Sequence, residues 1–503
     1  MSRPTYRKPA RWRVAFAIFL LAASGTAFAD GSLAPLVELV NDGARVSALV
    51  VRLDDGSELA AIAPDTPLAP ASVSKLYVAA AALDRWGPDY QFPTRLLAAG
   101  KIHDGTLEGD LIFAGLGDPG VTNLQLWQLA HNLVERGITH VTGNLVVSAG
   151  YFGPLDQCVT KDRCEAAGES DHAYDALLSS AAVNYSTVGI TVIPGAWPGA
   201  AARVALEPFS LPMFDLRNRL KTSKSKDDWK LSVHRETSGG RDILTVSGSV
   251  PAGAKPVTFS RSVSDPNLYA GETLAAFLAQ AGVQVDGQVR VAPTGMPAGV
   301  VVAEVDGERM WTLLRNMLLW SNNFMADTFA LDILRAQQAP PLSLTAAGAA
   351  VSSIGRALER ASPLMRSHEP KVELLSGSGL TPTSRASARD IVALLDTLYH
   401  RGGLLPSFLG ALSVPAYAPS RMLKAPGDPL WMERVAAKTG SLSEPHSVFA
   451  LAGYLRLDDG SWGAFAVLVN GTVRHDVPLW IAIQATREAL IPYLRAPRSA
   501  RHR

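Results

Sequence analysis

The two ends of the chain show the same order of hydrophobic patterns. Residues 33–41 carry apolar positions at helical spacing. Residues 46–53 and 58–63 are apolar-rich runs around Asp54-Asp55-Gly56, a hairpin signal. Residues 72–86 are Ala-rich and almost continuously apolar, which predicts a buried helix. Near the other end, residues 448–457 and 462–469 flank a second turn, Asp458-Asp459-Gly460. Residues 477–494 then predict a closing helix with Pro478 in its first turn. Both ends thus supply helix and hairpin strands that could share one antiparallel sheet. The middle reads differently. Residues 91–266 are strand-like and Gly-rich, with a charged run over 221–230, and predict an insertion with its own fold. From 310 to 337 the long apolar helical pattern returns. The fold class expected is α/β (α+β), with the units divided as 30–90 plus 267–494 and 91–266.

The first residues set the expected compartment. Arg3, Arg7, Lys8, Arg11 and Arg13 precede an apolar run over 14–23, and Ala27-Phe28-Ala29 follows. This is the order of a secretory signal peptide cleaved near Ala29. The run is shorter than the roughly 20 residues a membrane span needs. A periplasmic or otherwise exported protein is therefore expected, with about 474 residues, enough for roughly three domains. Losing those five basic residues takes the formal charge from +1 to −4. A basic tail over 495–503 adds four arginines, so the body without it stands at −8. An acidic body excludes a nucleic-acid partner, which needs a basic footprint. Four charges without an apolar face make no strong membrane anchor.

Cys158 and Cys164 are the only cysteines, six residues apart in a polar stretch. In an oxidising compartment such a pair reads as a local disulfide. No histidine lies near them at metal-ligand spacing, and none of the ten histidines pairs with another at His-x-x-x-His spacing. No metal and no cofactor is expected.

Three short motifs carry the chemistry. Ser72-Val73-Ser74-Lys75 opens the Ala-rich helix, and its spacing puts Ser72 and Lys75 on one face. A lysine in a dry site beside other cations can lose its proton and act as base for a serine hydroxyl. Ser223-Lys224-Ser225-Lys226 has the same spacing, but no apolar helix follows it, and a solvated loop is the reading there. Ser321-Asn322-Asn323 sits between two apolar helical runs. Lys438-Thr439-Gly440-Ser441 ends a strand-like run. Each motif alone is commonplace: a cap, or a surface turn. In this order and context the trio matches the set shared by serine β-lactamases and penicillin-binding proteins. Gly115-Leu116-Gly117-Asp118-Pro119 is too weak on its own to mark a phosphate loop.

Over nearly the whole chain the sequence resembles the class C low-molecular-mass penicillin-binding proteins, the D-Ala-D-Ala carboxypeptidase/endopeptidase family. The resemblance is carried by "PLAPASVSKLYVAAAALDRWGPDYQFPTRLLAAG", "LEGDLIFAGLGDPGVT", "AYDALLSSAAVNYSTVGITVIPG", "SDPNLYAGETLAAFLAQAGVQVDG", "LLWSNNFMADTF", "SGSGLTPTSRAS" and "AAKTGSL" followed by "FALAGYLRLDDG". It implies a serine β-lactamase/transpeptidase-like domain, an antiparallel sheet flanked by helices, interrupted by two small strand-rich subdomains. It implies peptidoglycan peptides as substrates and β-lactam antibiotics as inhibitors. By this resemblance Ser72 is the nucleophile, Lys75 its base, and Ser321 the relay to the leaving amine. Asn323 holds Lys75 and a substrate carbonyl, and Lys438 and Thr439 bind the terminal carboxylate. The backbone N–H groups of Ser72 and Ser441 form the oxyanion hole.

The chain departs from that family's pattern in four places. Ser148 stands where an acidic residue reaches toward the substrate side-chain amine. Thr381-Pro382 replaces a Ser-Arg pair. Ser420-Arg421-Met422-Leu423 replaces a Gly-Thr-Leu segment, and His446 occupies a turn that is usually small and polar. The lost carboxylate at Ser148 implies a weak preference for a free diaminopimelate amine, because truncating one side of a partly buried ion pair costs about 2–5 kcal/mol. Two other readings are a β-lactamase-like hydrolase and a low-activity penicillin-binding scaffold. The size of the insertion and the missing Glu-x-x-x-Asn loop oppose the first, and the departures near the pocket keep the second open. The cysteine pair generates a prediction. Non-reduced mass spectrometry of exported protein is expected to show a Cys158–Cys164 disulfide, and two free thiols would contradict it. The short loop limits the stabilisation lost on reduction to about 2–3 kcal/mol.

Overall fold

The sheet predicted from the two chain ends forms. Five antiparallel strands are ordered Val435–Leu442, Val448–Arg456, Trp462–Asn470, Arg45–Arg52, Glu58–Ile62. The N-terminal hairpin joins the C-terminal one with Arg45 opposite Asn470 and Arg52 opposite Gly463. The strands are apolar at nearly every position because both faces are covered. Leu49, Val51, Ala464 and Ala466 pack with the helical layer that includes Lys75–Trp86 and Asn323–Arg335. Ala48, Val50, Phe465 and Val467 face the terminal helices Ala34–Asn41 and Leu479–Leu490. This computed structural model describes residues 33–157, 171–224, 228–292, 294–295, 298–424 and 428–495. The leader, both cysteines, Ser225, Lys226 and the tail beyond Arg495 lie outside the described residues.

The helix expected over 72–86 is two elements. Ala71–Ser74 is a 3₁₀ turn, and the α-helix proper is Lys75–Trp86, buried from Lys75 through Leu83. Its alanines follow from its central place, because helices Asn323–Arg335 and Leu344–Ala361 crowd it and leave room only for small side chains. The closing helix begins at Leu479, with Pro478 as its N-cap, and ends in a 3₁₀ turn, Ile491–Leu494.

Among the described residues the middle of the chain builds three further sheets. A seven-stranded one contains Gln91–His103, Thr106–Ala114, His140–Val141 and Leu145–Ser148. Two three-stranded sheets use Phe214–Ser223, Lys230–Ser238 and Arg241–Pro251, and Thr187–Ile193, Arg203–Glu207 and Val257–Ser262. Two expectations need correction. The pairing does not break at Pro266, because Val300–Arg309 returns antiparallel to Gln91–His103 and Val289–Ala292 pairs with Leu145–Ser148. Chain order hid this: the strands that complete the sheet follow helix Pro266–Gln280. The strand-like middle also contains a helix, Asn123–Glu135, whose Thr122 and Gln125 form a capping box.

Ser223 ends a strand, and Ser225 and Lys226 of the second Ser-x-x-Lys lie outside the described residues. Among the described residues no helix is long and apolar enough to cross a membrane.

A buried ion pair marks the middle region. Arg235 Nη1 lies 3.2 Å from Asp242 Oδ1, with both side chains fully enclosed. Asp242 Oδ2 also accepts from the Ser264 N–H at 2.9 Å. Removing the carboxylate takes one ion-pair partner from the enclosed Arg235, which keeps its bond to Thr237, and takes the acceptor from the Ser264 N–H. Asp242→Ala is therefore expected to cost about 1–3 kcal/mol in denaturant unfolding, and an unchanged midpoint would contradict that.

Candidate active site

Ser72 sits in the 3₁₀ turn and Lys75 is the first residue of the α-helix. In a 3₁₀ turn side chains three apart eclipse, which brings the two together more directly than an α-helical turn does. Lys75 Nζ lies 2.9 Å from Ser72 Oγ. It also lies 2.8 Å from Asn323 Oδ1 and 2.6 Å from the Ser378 carbonyl. Lys75 has no exposed surface. The residue before the serine, Ala71, holds a φ of +47°, a strained value for a side chain with a Cβ.

The two asparagines of the second motif divide the work. Asn322 Oδ1 accepts from the Met325 N–H at 3.0 Å and caps helix Asn323–Arg335. Asn323 turns to Lys75 instead. Its Nδ2 donates to the Tyr174 carbonyl at 3.1 Å, which fixes the amide so that Oδ1 faces the lysine. Ser321 bridges this helix and Met310–Leu319 at a φ of +54°, a second strained residue at the site.

The third motif comes from the edge strand Val435–Leu442. Lys438 Nζ donates to Ser321 Oγ at 2.8 Å and to the Thr439 carbonyl at 2.7 Å. Burial pushes the Lys438 amine down to about 7. Gly440 lets this strand approach the nucleophile, since a Cβ there would come within 2.8 Å of the Ser72 N and the Pro70 O. Ser72, Ser321, Lys438, Thr439 and Ser441 line one cavity of about 370 Å³. Lys75 and Asn323 join them through the hydrogen bonds to Lys75. All seven predicted site residues therefore meet.

Other residues of the site escaped the sequence reading. Ser376-Gly377-Ser378-Gly379 carried part of the family resemblance but was given no role. Its Ser378 carbonyl accepts from Lys75, and the Ser378 N–H donates to Asp327 Oδ1 at 2.7 Å. Gly379 holds a φ of +76°, and a Cβ there would lie 2.0 Å from the Ala71 carbonyl. The signal was the run of alternating small residues and glycine. Ser148, at the position that is acidic in the family, is fully buried at the end of its strand and is not among the residues that line this cavity.

A serine, a buried lysine and a facing Lys-Thr-Gly strand on this fold define a serine peptidase of the β-lactamase/transpeptidase architecture. The chain belongs to the D-Ala-D-Ala carboxypeptidase 3 (S13) family, which matches residues 33–487. It is 29% identical to a D-alanyl-D-alanine carboxypeptidase of Actinomadura sp. (strain R39), over 96% of this chain and 90% of that protein. It is 24% identical to the D-alanyl-D-alanine carboxypeptidase DacB of Haemophilus influenzae, over 90% and 91%. The crystal structure of penicillin binding protein 4 (dacB) from Haemophilus influenzae shares the fold, with a TM-score of 0.73 and 21% identity over 92% of this chain and 99% of that one.

Lys438 gives the cavity a titrating charge. Its amine is protonated below about pH 7 and neutral above, so its attraction for a carboxylate weakens as pH rises through that value. KM for an acyl-D-Ala-D-Ala peptide is expected to climb above pH 7, by at most about tenfold per unit for one proton. Lys438→Met should raise KM and flatten that rise. A wild-type KM that stays level from pH 6 to 9 would refute the assignment.

Proposed function

We propose that this protein is exported, hydrolyses the terminal D-Ala-D-Ala bond of peptidoglycan stem peptides, and cleaves peptide cross-links, through an acyl-enzyme on Ser72. The observation that carries this reading is the environment of Lys75. Asn323 Oδ1 and the Ser378 carbonyl can only accept. A neutral amine has two N–H donors and one lone pair. In its neutral form the amine can donate to those oxygens and turn its lone pair toward the Ser72 hydroxyl, 2.9 Å away.

In this reading Ser72 Oγ attacks the penultimate carbonyl and its proton passes to Lys75. The oxyanion is held by the N–H groups of Ser72 and Ser441, in a setting where fixed donors are worth most. Ser321, bonded to Lys438, delivers a proton to the leaving nitrogen as the C–N bond breaks. Water then hydrolyses the Ser72 ester. Lys438 and Thr439 hold the terminal carboxylate. β-Lactams acylate the same serine; the Haemophilus influenzae protein has been crystallised with a novel β-lactam bound. The catalytic unit in this proposal is 33–90 plus 310–494, with 91–309 inserted. The leader to Ala29 is removed on export, and Cys158 and Cys164 pair in the insertion.

Fluorescent penicillin tests the reading. Ser72→Ala should abolish labelling and Ser223→Ala should leave it intact. Lys75→Arg should lose acylation with its fold preserved, since the guanidinium keeps its proton. Labelling of Ser72→Ala, or wild-type acylation by Lys75→Arg, would sink the proposal.

A further inference from the structure

The cavity beside Ser72 is much larger than the methyl group of a departing D-alanine. It runs past Lys438 to a wall that includes Leu318, Trp320, Pro419 and Met422, within the volume of about 370 Å³. Lys438 is the only charged residue among the described lining residues.

The chemistry says which side of the scissile bond this wall occupies. Ser321, whose hydroxyl contacts Lys438, is the group that meets the leaving nitrogen in the proposed reaction. Trp320 immediately precedes it. Ser413 extends the same wall, its backbone bonded to Ala437 at 2.9 and 3.1 Å, on the strand just before Lys438. The terminal carboxylate, held at Lys438 and Thr439, belongs to the leaving residue. That residue's side chain therefore lies toward Trp320, and the acyl half lies toward Ser441.

Trp320 keeps 67% of its surface exposed at the end of helix Met310–Leu319. The positive φ of Ser321 turns the chain directly after it. An exposed indole on the wall of a reaction cavity is a platform for methylene groups. Met422 and Pro419 face the same space as apolar contacts.

We infer that Trp320, with Pro419 and Met422, forms a subsite for the side chain of the leaving residue, and that its preferred occupant is the methylene arm of a cross-linking diaminopimelate rather than the methyl of D-alanine. This rests on the reaction proposed above and specifies its substrate. The three methylenes of the arm lie on the apolar wall. The charged second peptide continues into solvent, where no counter-charge is required of the cavity. The bond cleaved is the same amide, and the same Ser72 ester forms. Only the amine that leaves is larger.

The test compares two substrates on the whole mature protein: a monomeric pentapeptide ending in D-Ala-D-Ala, and a dimeric muropeptide cross-linked through diaminopimelate. Trp320→Ala is expected to lower the ratio of kcat/KM on the dimer to that on the monomer by about tenfold, mostly through KM on the dimer. Trp320→Phe, which keeps an aromatic face, should hold the ratio within about threefold of wild type. Fluorescent penicillin labelling of each variant reports an intact site. A ratio unchanged in Trp320→Ala would overturn the subsite and leave the proposed reaction standing. If the wild type labels with penicillin but cleaves neither substrate, the reaction fails and the subsite with it.

Discussion

Lys75 has no exposed surface, so its amine must be met by polar groups inside the protein. A buried polar group left unmet costs about as much as a whole protein interaction is worth. Oxygens from three distant stretches of chain are among its partners: Ser72, Asn323 and Ser378. The helical layer is arranged around that requirement. Helix Asn323–Arg335 brings Asn323 to the lysine and, one turn later, Asp327 to the Ser378 N–H, which holds the Ser378 carbonyl in place. The small residues over 376–379 let that segment pass against the nucleophile's turn, where Ser74 Oγ also donates to the Gly377 carbonyl at 3.1 Å.

The second lysine is buried by the sheet. Lys438 lies on the edge strand Val435–Leu442, which pairs on one side only, with Val448–Arg456. Its free edge faces the cavity, and Ser413 bridges to it through Ala437. Burial depresses the Lys438 amine, and a carboxylate arriving in the cavity would supply an opposite charge. The two lysines thus do different work by position. One is enclosed among acceptors beside a hydroxyl; the other is enclosed at the rim of a space that an anion can enter.

Strain gathers at the same place. Ala71 and Ser321 both adopt positive φ, and both adjoin the reacting groups. Neither is glycine, so each holds its conformation against a cost of about 1–3 kcal/mol that the surrounding packing sustains. Ala71 is enclosed with Ala69 and Val448 in a small cluster beneath the turn. Ser321 is pinned between two helices and by its bond to Lys438. Holding the serines in advance removes the need to order them when substrate arrives.

The sequence by itself determined the terminal sheet, the buried helix and the seven residues that meet at the site. Each is written in local signals: alternation around Asp-Asp-Gly turns, an Ala-rich run, and three short motifs in a fixed order. It missed helix Asn123–Glu135 despite the Thr122 and Gln125 cap, because the glycine-rich stretch around it carried the stronger strand signal. It placed the edge of the insertion at Pro266, because a strand's partner is not written beside it; only pairing with Gln91–His103 shows where Val300–Arg309 belongs. It matched Ser148 to a position that is acidic in the family, whereas the burial of that residue is a property of what packs around the strand's end. The Ser378 carbonyl was invisible for a related reason. Every residue carries a carbonyl, and only the folded chain decides which one meets Lys75. Local patterns fix which side chains are available and at what spacing. Which backbone atoms and which walls they meet depends on contacts hundreds of residues apart, and those exist only once the helices and sheets have closed on one another.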